Sequence, residues 1–424
     1  MNILWLHQYF ATPQGWGAAR TYELARRFVR AGHAVDVICC AGYDASLAPT
    51  GSMPTDADGV RVFVSGTPYR PHMGFIRRIL SFLRFTGYAL WFVVRRGRRY
   101  DVIIASSGPL TLALPALTGR WLFRTPFVFE VIDVWPDSAI AAGVLRNPIL
   151  KAMSFRVEAL AYAHAAAIVT CSTGMTARVA GKLTGNRTKT RAGESGAAAG
   201  HRPPPPLLTI PNGCDVAMFA PDETRRRATR ERLGVAEGQL VAFYAGAMGV
   251  SNAVDDLVEA VERTARDDRV IWWIAGDGAE AGKLKHAIGQ RGRWFGTVSR
   301  SELPDLYAAA DVNVVTFRHE PLFFENSPNK FFDGLAAGLP AVFNRSTWLA
   351  PWLETYACGL ACDTDAPGAW LAGTIQELAA DPARLQRMKR GARRLAEEEE
   401  FNRDRQAQQY LDALEQVRHA TGYP

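Results

Sequence analysis

Residues 325–340 read ENSPNKFFDGLAAGLP. Ser327 is a capping residue type and Pro328 suits a first helical position, so the spacing predicts a helix opening here. A helix start presents backbone N–H groups without intrahelical partners, together with the positive end of the peptide dipole. Both favour a bound phosphate. Lys330, two residues beyond the proline, adds a charge within reach of such an anion. Glu325 stands just before the helix, facing whatever the phosphate carries. Asp333 lies eight positions further, about two helical turns on. On these residues alone, a capped amphipathic helix with Glu325 as a solvated loop carboxylate remains open.

Outward from this stretch, short Val- and Ile-rich runs alternate with helical patterns. Toward the N-terminus they are 3–7, 35–40, 60–65, 102–105, 127–131, 168–171 and 207–210. Around the signature stretch they are 240–245, 270–275, 312–315, 341–343 and 359–362. Apolar strands separated by helices predict doubly wound parallel sheets. The pattern restarts after PNGCD at 211–215, so two Rossmann-like domains are expected: 1–215, then 216–395, with a C-terminal helix at 396–424 packing back toward the first. In open sheets ligands bind outside the strands' carboxyl ends, which points to the space between the two domains. Residues 184–206, GNRTKTRAGESGAAAGHRPPPP after Thr184, lack apolar periodicity and read as a mobile surface loop.

The bulk numbers agree with this size and class. The chain has 424 residues, 48% of them hydrophobic and 21% charged, with a net charge of +7 at pH 7. Two domains are expected at that length. The six cysteines contain no Cys-x-x-Cys pair, which argues against a zinc site; they read as buried small hydrophobes in a reducing compartment. MNILWLHQYF reads as a first core strand and not a signal peptide. Residues 75–99, FIRRILSFLRFTGYALWFVVRRGRR, carry arginines that leave too short an uncharged run to span a bilayer. Two readings stay open for this segment: a membrane-surface helix, or a core helix with arginines outward. The basic residues are not interleaved with a nucleic-acid motif, so no nucleic acid is expected.

Glu-x7-Asp followed by AAGLP resembles the Glu-x7-Glu signature of the family 4 glycosyltransferases, which have the GT-B fold. PNGCD, AGDGAEAGKL at 275–284 and FGTVSRSELPDLYAAADVNVV at 295–315 are similar to segments of the same family. HQYFATPQGWGAAR at 7–20 and EVIDVWPDSA at 130–139 resemble a subgroup acting on lipid-linked acceptors in bacterial surface-polysaccharide and O-antigen assembly. The resemblance spans almost the whole chain apart from the proline-rich stretch.

It implies a retaining transfer from a nucleoside diphosphate sugar to a polyprenyl-diphosphate-linked saccharide, without a metal or other cofactor. The enzyme would work at the inner face of the cytoplasmic membrane, held there through 75–99. By the same resemblance Glu325 holds the donor sugar's hydroxyls, and Asn326, Ser327, Pro328 and Asn329 cover sugar and diphosphate. Asp333 holds the ribose, while Phe295, Gly296 and Val298 line the base pocket. Gly15 and Gly17 let backbone approach the diphosphate. Relatives often carry an Arg and a Lys where this chain has AGAMGVSNAVDD (245–256). Gly246 of that segment is taken as donor-binding, and the diphosphate charge falls to Lys330.

Asp133, two residues beyond a core strand, is expected at the cleft edge, where the resemblance implies a polar residue near the reacting carbon; equally, it caps a turn or the next helix. Glu130 reads as a paired buried carboxylate and His7 as a core histidine. Asp363-Thr364-Asp365 has the form of a metal-binding signature but reads as a turn leading into a helix. A transferase with a soluble acceptor, or a non-catalytic sugar-nucleotide-binding protein, are the alternatives.

Overall fold

The computed structural model describes residues 1–17, 19–50, 53–69, 73–191, 203–249, 251–289, 292–398 and 400–420. The chain divides into two compact units. The first comprises 1–11, 19–211 and 407–424; the second comprises 12–18 and 212–406.

Among the described residues the first unit is built on an eight-stranded sheet. Its strands are β1 (Asn2–Leu6), β2 (Ala34–Cys40), β3 (Thr55–Ala57), β4 (Val60–Ser65), β5 (Val102–Ser106), β6 (Phe127–Val131), β7 (Ala167–Thr170) and β8 (Leu207–Thr209), in the order β3-β4-β2-β1-β5-β6-β7-β8. All neighbours pair parallel except β3 with β4. The helices are α1 (Arg20–Arg30), α2 (Phe75–Arg96), α3 (Ala113–Phe123), α4 (Asp137–Ala141), α5 (Pro148–His164) and α6 (Thr173–Arg191). Strands such as Val102–Ser106 are apolar along nearly their whole length because helices cover both faces, and every residue of that strand is buried. Trp5 on β1 stacks on Phe28 of α1 at 5.8 Å and meets Tyr410 at 5.7 Å. The last helix thereby closes this core.

The second unit carries β9 (Leu240–Ala245), β10 (Val270–Ala275), β11 (Gly292–Gly296), β12 (Val312–Val315), β13 (Ala341–Phe343) and β14 (Gly359–Ala361), all parallel, in the order β11-β10-β9-β12-β13-β14. Its helices are α7 (Glu223–Arg232), α8 (Val254–Thr264), α9 (Ala281–Ile288), α10 (Leu303–Ala309), α11 (Asn329–Ala336), α12 (Ala350–Thr355), α13 (Pro367–Ala380) and α14 (Pro382–Glu397). The chain ends in α15 (Arg403–Ala420), which runs on into the first unit. An aromatic cluster of Phe243, Trp273, Tyr307, Phe331, Phe332 and Phe343 fills one side of the sheet.

Two strands escape the sequence pattern. Thr55–Ala57 is short and polar, and Gly292–Gly296 is bounded by glycines; both lie at sheet edges, where one neighbour suffices. The stretch read as a loop from Thr184 begins instead as the continuation of α6 to Arg191. A helix anchored by buried Met175 and Val179 extends through polar residues without needing an apolar face there. The remainder of that expected loop, 192–202, lies outside the described residues.

Candidate functional site

In the second sheet the chain leaves β9 toward β10 on one side and returns to β12 on the other, so the order reverses between β9 and β12. Loops at the carboxyl ends of two such strands diverge and leave a crevice. The segment after β9 and the start of α11 meet there. Lys330 is half-buried, its ammonium 4.1 Å from the centre of the Tyr244 ring, donating to Tyr244 Oη at 3.0 Å and Asn252 Oδ1 at 3.2 Å. None of the described carboxylates forms an ion pair with it. Loss of hydration lowers its pKa from the ordinary lysine value to about 7. A cation so placed gains from any anion that enters.

Gly246 makes room for that side chain. A Cβ at this position would lie 2.6 Å from Lys330 Cε and 2.8 Å from Nζ. The Gly276-Asp277-Gly278 turn is a backbone seam. Gly276 N donates to Gly296 O at 2.6 Å, Gly246 N to Ala275 O at 2.9 Å and Met248 N to Asp277 O at 3.0 Å. A Cβ at Gly276, where φ is +134°, would sit 1.9 Å from Gly246 O, so only glycine fits. The loops after β9, β10 and β11 are thus held as one piece.

The helix expected to open at Ser327 opens later. α11 begins at Asn329 with Pro328 as its N-cap and no side-chain cap. Ser327 is engaged elsewhere: its Oγ accepts from Asn212 N at 3.1 Å, and Asn212 Nδ2 donates to Ser327 O at 2.5 Å. PNGCD and the signature stretch are therefore stitched together, which spacing along the chain does not reveal. Glu325 ends a 3₁₀ turn at Pro321–Glu325 and is half-buried. Asn326 follows it, its carbonyl accepting from Trp348 Nε1 at 2.9 Å. Glu325 to Lys330 run consecutively into α11, and the Lys330 side chain lies against Gly246.

Asp333 sits in a buried ion network. It is 3% exposed, and Arg300 donates to both of its oxygens, at 3.0 Å to Oδ2 and 3.1 Å to Oδ1. Arg300 also donates to Asp215 at 2.6 Å, and Asp215 lies 3.1 Å from Arg403. Burial raises the Asp333 carboxyl, with the Arg300 guanidinium opposing that rise. This geometry ties Asp333 into a buried ion network with Arg300, the group that a ribose hydroxyl would have to share with it. Being one methylene shorter than glutamate, its carboxylate stays close to the helix, where the guanidinium takes it.

Phe295 packs edge-on against Trp273 at 5.6 Å, Val298 lies half-buried against the same core, and Gly296 adopts φ +67°. The next residues join this loop to the glycine turn, since Arg300 N donates to Gly15 O and Ser301 N to Pro13 O, both at 3.0 Å. Gly15 is buried and Gly17 half-buried, and their segment groups with the second unit instead of the first. Arg300 and Tyr244 were not singled out from sequence. An arginine in a loop and a tyrosine in an apolar strand give no local signal of their partners.

In the first unit the strand order reverses between β1 and β5. Beyond these ends stand Tyr9, Tyr43 and Tyr69, with ring centres 4.8–5.5 Å apart. Asp133 follows β6; its backbone is fixed by Ser107, whose Oγ donates to Asp133 O at 2.8 Å. Its side chain is solvent-exposed at its outer surface, yet crowding by protein around the carboxyl raises its pKa. It caps no turn among the described residues. Glu130 is fully buried, 3.0 Å from Arg20 Nε and accepting from Ser106 Oγ at 2.6 Å. His7 shares a 2.5 Å hydrogen bond with Thr21 Oγ1, and burial lowers its pKa to about 4, so it is a neutral core histidine. Asp363-Thr364-Asp365 lies exposed before α13, with Arg345 donating to Thr364 O at 2.7 Å. Among the described residues no helix is long and apolar enough to cross a membrane.

Comparison with known proteins adds a class to this geometry. Residues 17–192 match the family model described as a glycosyl transferase 4-like domain, and 239–381 match that of the glycosyl transferases group 1. The chain is 25% identical to the probable glycosyltransferase WbjE of Pseudomonas aeruginosa over 67% of each chain. Among solved structures it is similar to sucrose-phosphate synthase from Thermosynechococcus elongatus, with a TM-score of 0.71, 16% identity and 99% of both chains covered. It is also similar to Anabaena HepE in complex with UDP-glucose, with a TM-score of 0.68, 16% identity, and 98% of this chain and 100% of that one covered. At such identities the structural likeness establishes the fold.

Proposed function

The chain is a glycosyltransferase of GT-B type, and from that premise we propose that it moves a sugar, with retention of configuration, from a nucleoside diphosphate donor to a polyprenyl-diphosphate-linked saccharide in surface-polysaccharide assembly. The observation that carries the donor half is Lys330, a desolvated cation with no carboxylate beside it among the described residues, at the start of α11 and at a strand-order reversal. The UDP-glucose complex of HepE supports a nucleotide sugar as the anion. Glu325 holds sugar hydroxyls, and the first amides of α11 with Lys330 take the diphosphate. Phe295, Gly296 and Val298 face the base, and Gly15 and Gly17 admit the diphosphate's other side.

In the transfer step the bond from the anomeric carbon to the donor phosphate oxygen breaks. The acceptor oxygen bonds to that carbon on the same face, and its proton passes to the departing diphosphate. Asp133 supports the reacting carbon. Positive charge aimed at the leaving oxygens lowers the barrier, and Lys330 with the helix amides supplies it without a divalent ion.

The acceptor half rests on α2. Its exposed stripe of Ile76, Leu80, Leu83, Trp91 and Val94 lies opposite buried Phe85, Ala89, Phe92 and Val93. A helix apolar on both sides, carrying Arg77, Arg84 and Arg95 and no acid, fits an anionic membrane surface.

The direct test is transfer or hydrolysis of a UDP-sugar panel by the intact chain in EDTA. Activity is expected to persist there and to vanish in Glu325→Ala with the fold intact; a strict divalent requirement, or an unaffected Glu325→Ala, overturns the reading.

Donor binding also carries a pH signature. Lys330 titrates near 7 when free, whereas a nucleotide sugar keeps its diphosphate charge at neutral and alkaline pH. Binding favours the protonated lysine and raises its pKa. Affinity is therefore full below pH 7 and falls above it, by about tenfold per pH unit until the bound lysine titrates. UDP-glucose titrations between pH 6 and 9 check this; a flat profile would detach Lys330 from the diphosphate.

A further inference from the structure

At the N-terminal end of α2 the first unit contains a concavity of about 530 Å³, open on one side. Met73, Val144, Leu145 and Leu150 give it an apolar lining, and Arg78 and Arg146 line it as well, Arg78 donating to Met73 O at 3.5 Å and Arg146 Nε to Gly143 O at 2.8 Å. Among the described residues no acidic side chain lines it, and none occurs in the sequence at 73–99 or 143–157. Outside it the apolar character continues onto solvent: Ile149 is 68% exposed, and Met153, Leu80 and Ile76 are exposed as well. An apolar recess with paired arginines and an apolar apron suits a molecule with an anionic head and a hydrocarbon chain.

Its place in the fold selects among such molecules. The lining segment 143–147 follows directly from the turn that carries Asp133 through the short helix α4. On that turn Trp135 packs edge-on against Phe82 at 6.4 Å, and Phe82 is one helical turn from Arg78 on α2. The candidate reacting edge and the recess are thus two ends of one packed segment. An acceptor whose sugar lies by Asp133 and the tyrosines would bring its lipid end to this recess.

We infer that the concavity between α2 and residues 143–150 seats the diphosphate and first isoprenyl units of a polyprenyl-diphosphate acceptor. Arg78 and Arg146 take the phosphate oxygens, and Leu145 and Leu150 take the hydrocarbon. This rests on the acceptor reading above and gives that acceptor a place on the chain.

The test is calorimetric titration of the full chain with farnesyl diphosphate, farnesol and pyrophosphate. Farnesyl diphosphate is expected to bind one site, with both fragments far weaker. Arg78→Ala/Arg146→Ala is expected to weaken it by at least about tenfold, as for lost charge-assisted hydrogen bonds. Arg120→Ala/Arg124→Ala at the C-terminal end of α3 removes the same charge away from the recess and is expected to leave binding unchanged. Equal weakening by both pairs would show diffuse attraction only and overturns the site. Saturable displacement of farnesyl diphosphate by phosphatidylglycerol vesicles would reassign the recess to a diacyl headgroup and equally overturns it. Donor hydrolysis by the unaltered chain, measured alongside, reports on the transferase reading separately.

Discussion

Lys330→Ala is expected to slow sugar transfer by about thirty- to a thousandfold, roughly 2–4 kcal/mol of lost transition-state stabilisation. Charge on the diphosphate grows as the glycosidic bond breaks, so the loss falls on kcat as well as on donor affinity. Arginine is not expected to rescue it. The side chain threads between Tyr244 and Gly246, with Cε only 2.6 Å from where a Cβ on Gly246 would stand, and a planar guanidinium needs more width there. Steady-state rates with a saturating donor, beside a donor titration, separate the two effects. Kinetics equal to the parent chain would remove Lys330 from the site, and with it the reason for placing the diphosphate at α11.

The second large effect is on stability. Arg300 is buried and holds Asp333 and Asp215 at once, its guanidinium also lying 5.1 Å from the Phe219 ring centre. Arg300→Ala leaves two buried carboxylates, of which Asp215 keeps its ion pair with Arg403 at 3.1 Å while Asp333 loses both of its guanidinium hydrogen bonds. Removing one member of such a network costs about 3–5 kcal/mol, because the remaining charge has no water to return to. The denaturation midpoint should fall accordingly at unchanged slope; a loss under about 1 kcal/mol would show that the network is solvated, contrary to its burial. Asp333→Asn, which keeps shape and part of the hydrogen bonding, is expected to cost less and to leave UDP-glucose affinity near that of the parent chain. A large loss of affinity there would return Asp333 to the ribose.

Much of the architecture was legible locally. Val60–Ser65, Phe127–Val131, Leu240–Ala245, Val270–Ala275, Val312–Val315 and Ala341–Phe343 are strands as their apolar runs indicate. A strand covered on both faces must be apolar throughout, and that demand is written into consecutive residues. The signature stretch likewise announced a helix ending before Gly338, which adopts φ +71°. The edge strands Thr55–Ala57 and Gly292–Gly296 were not legible, since an edge imposes little on composition.

What the sequence determined by itself was therefore the class of fold, the restart of the pattern after PNGCD, and a phosphate-suited helix with a lysine at its beginning. What the tertiary structure decided was the environment of each charge. Lys330 loses its water against Tyr244, 86 positions away. Asp333 is taken by Arg300, and Arg300 reaches Asp215 across 85 positions. Ser327 gives up its capping role to Asn212. Periodicity reports what a residue's own element requires. Hydration and charge pairing depend on which distant segments the sheet order brings together, and no local spacing encodes that.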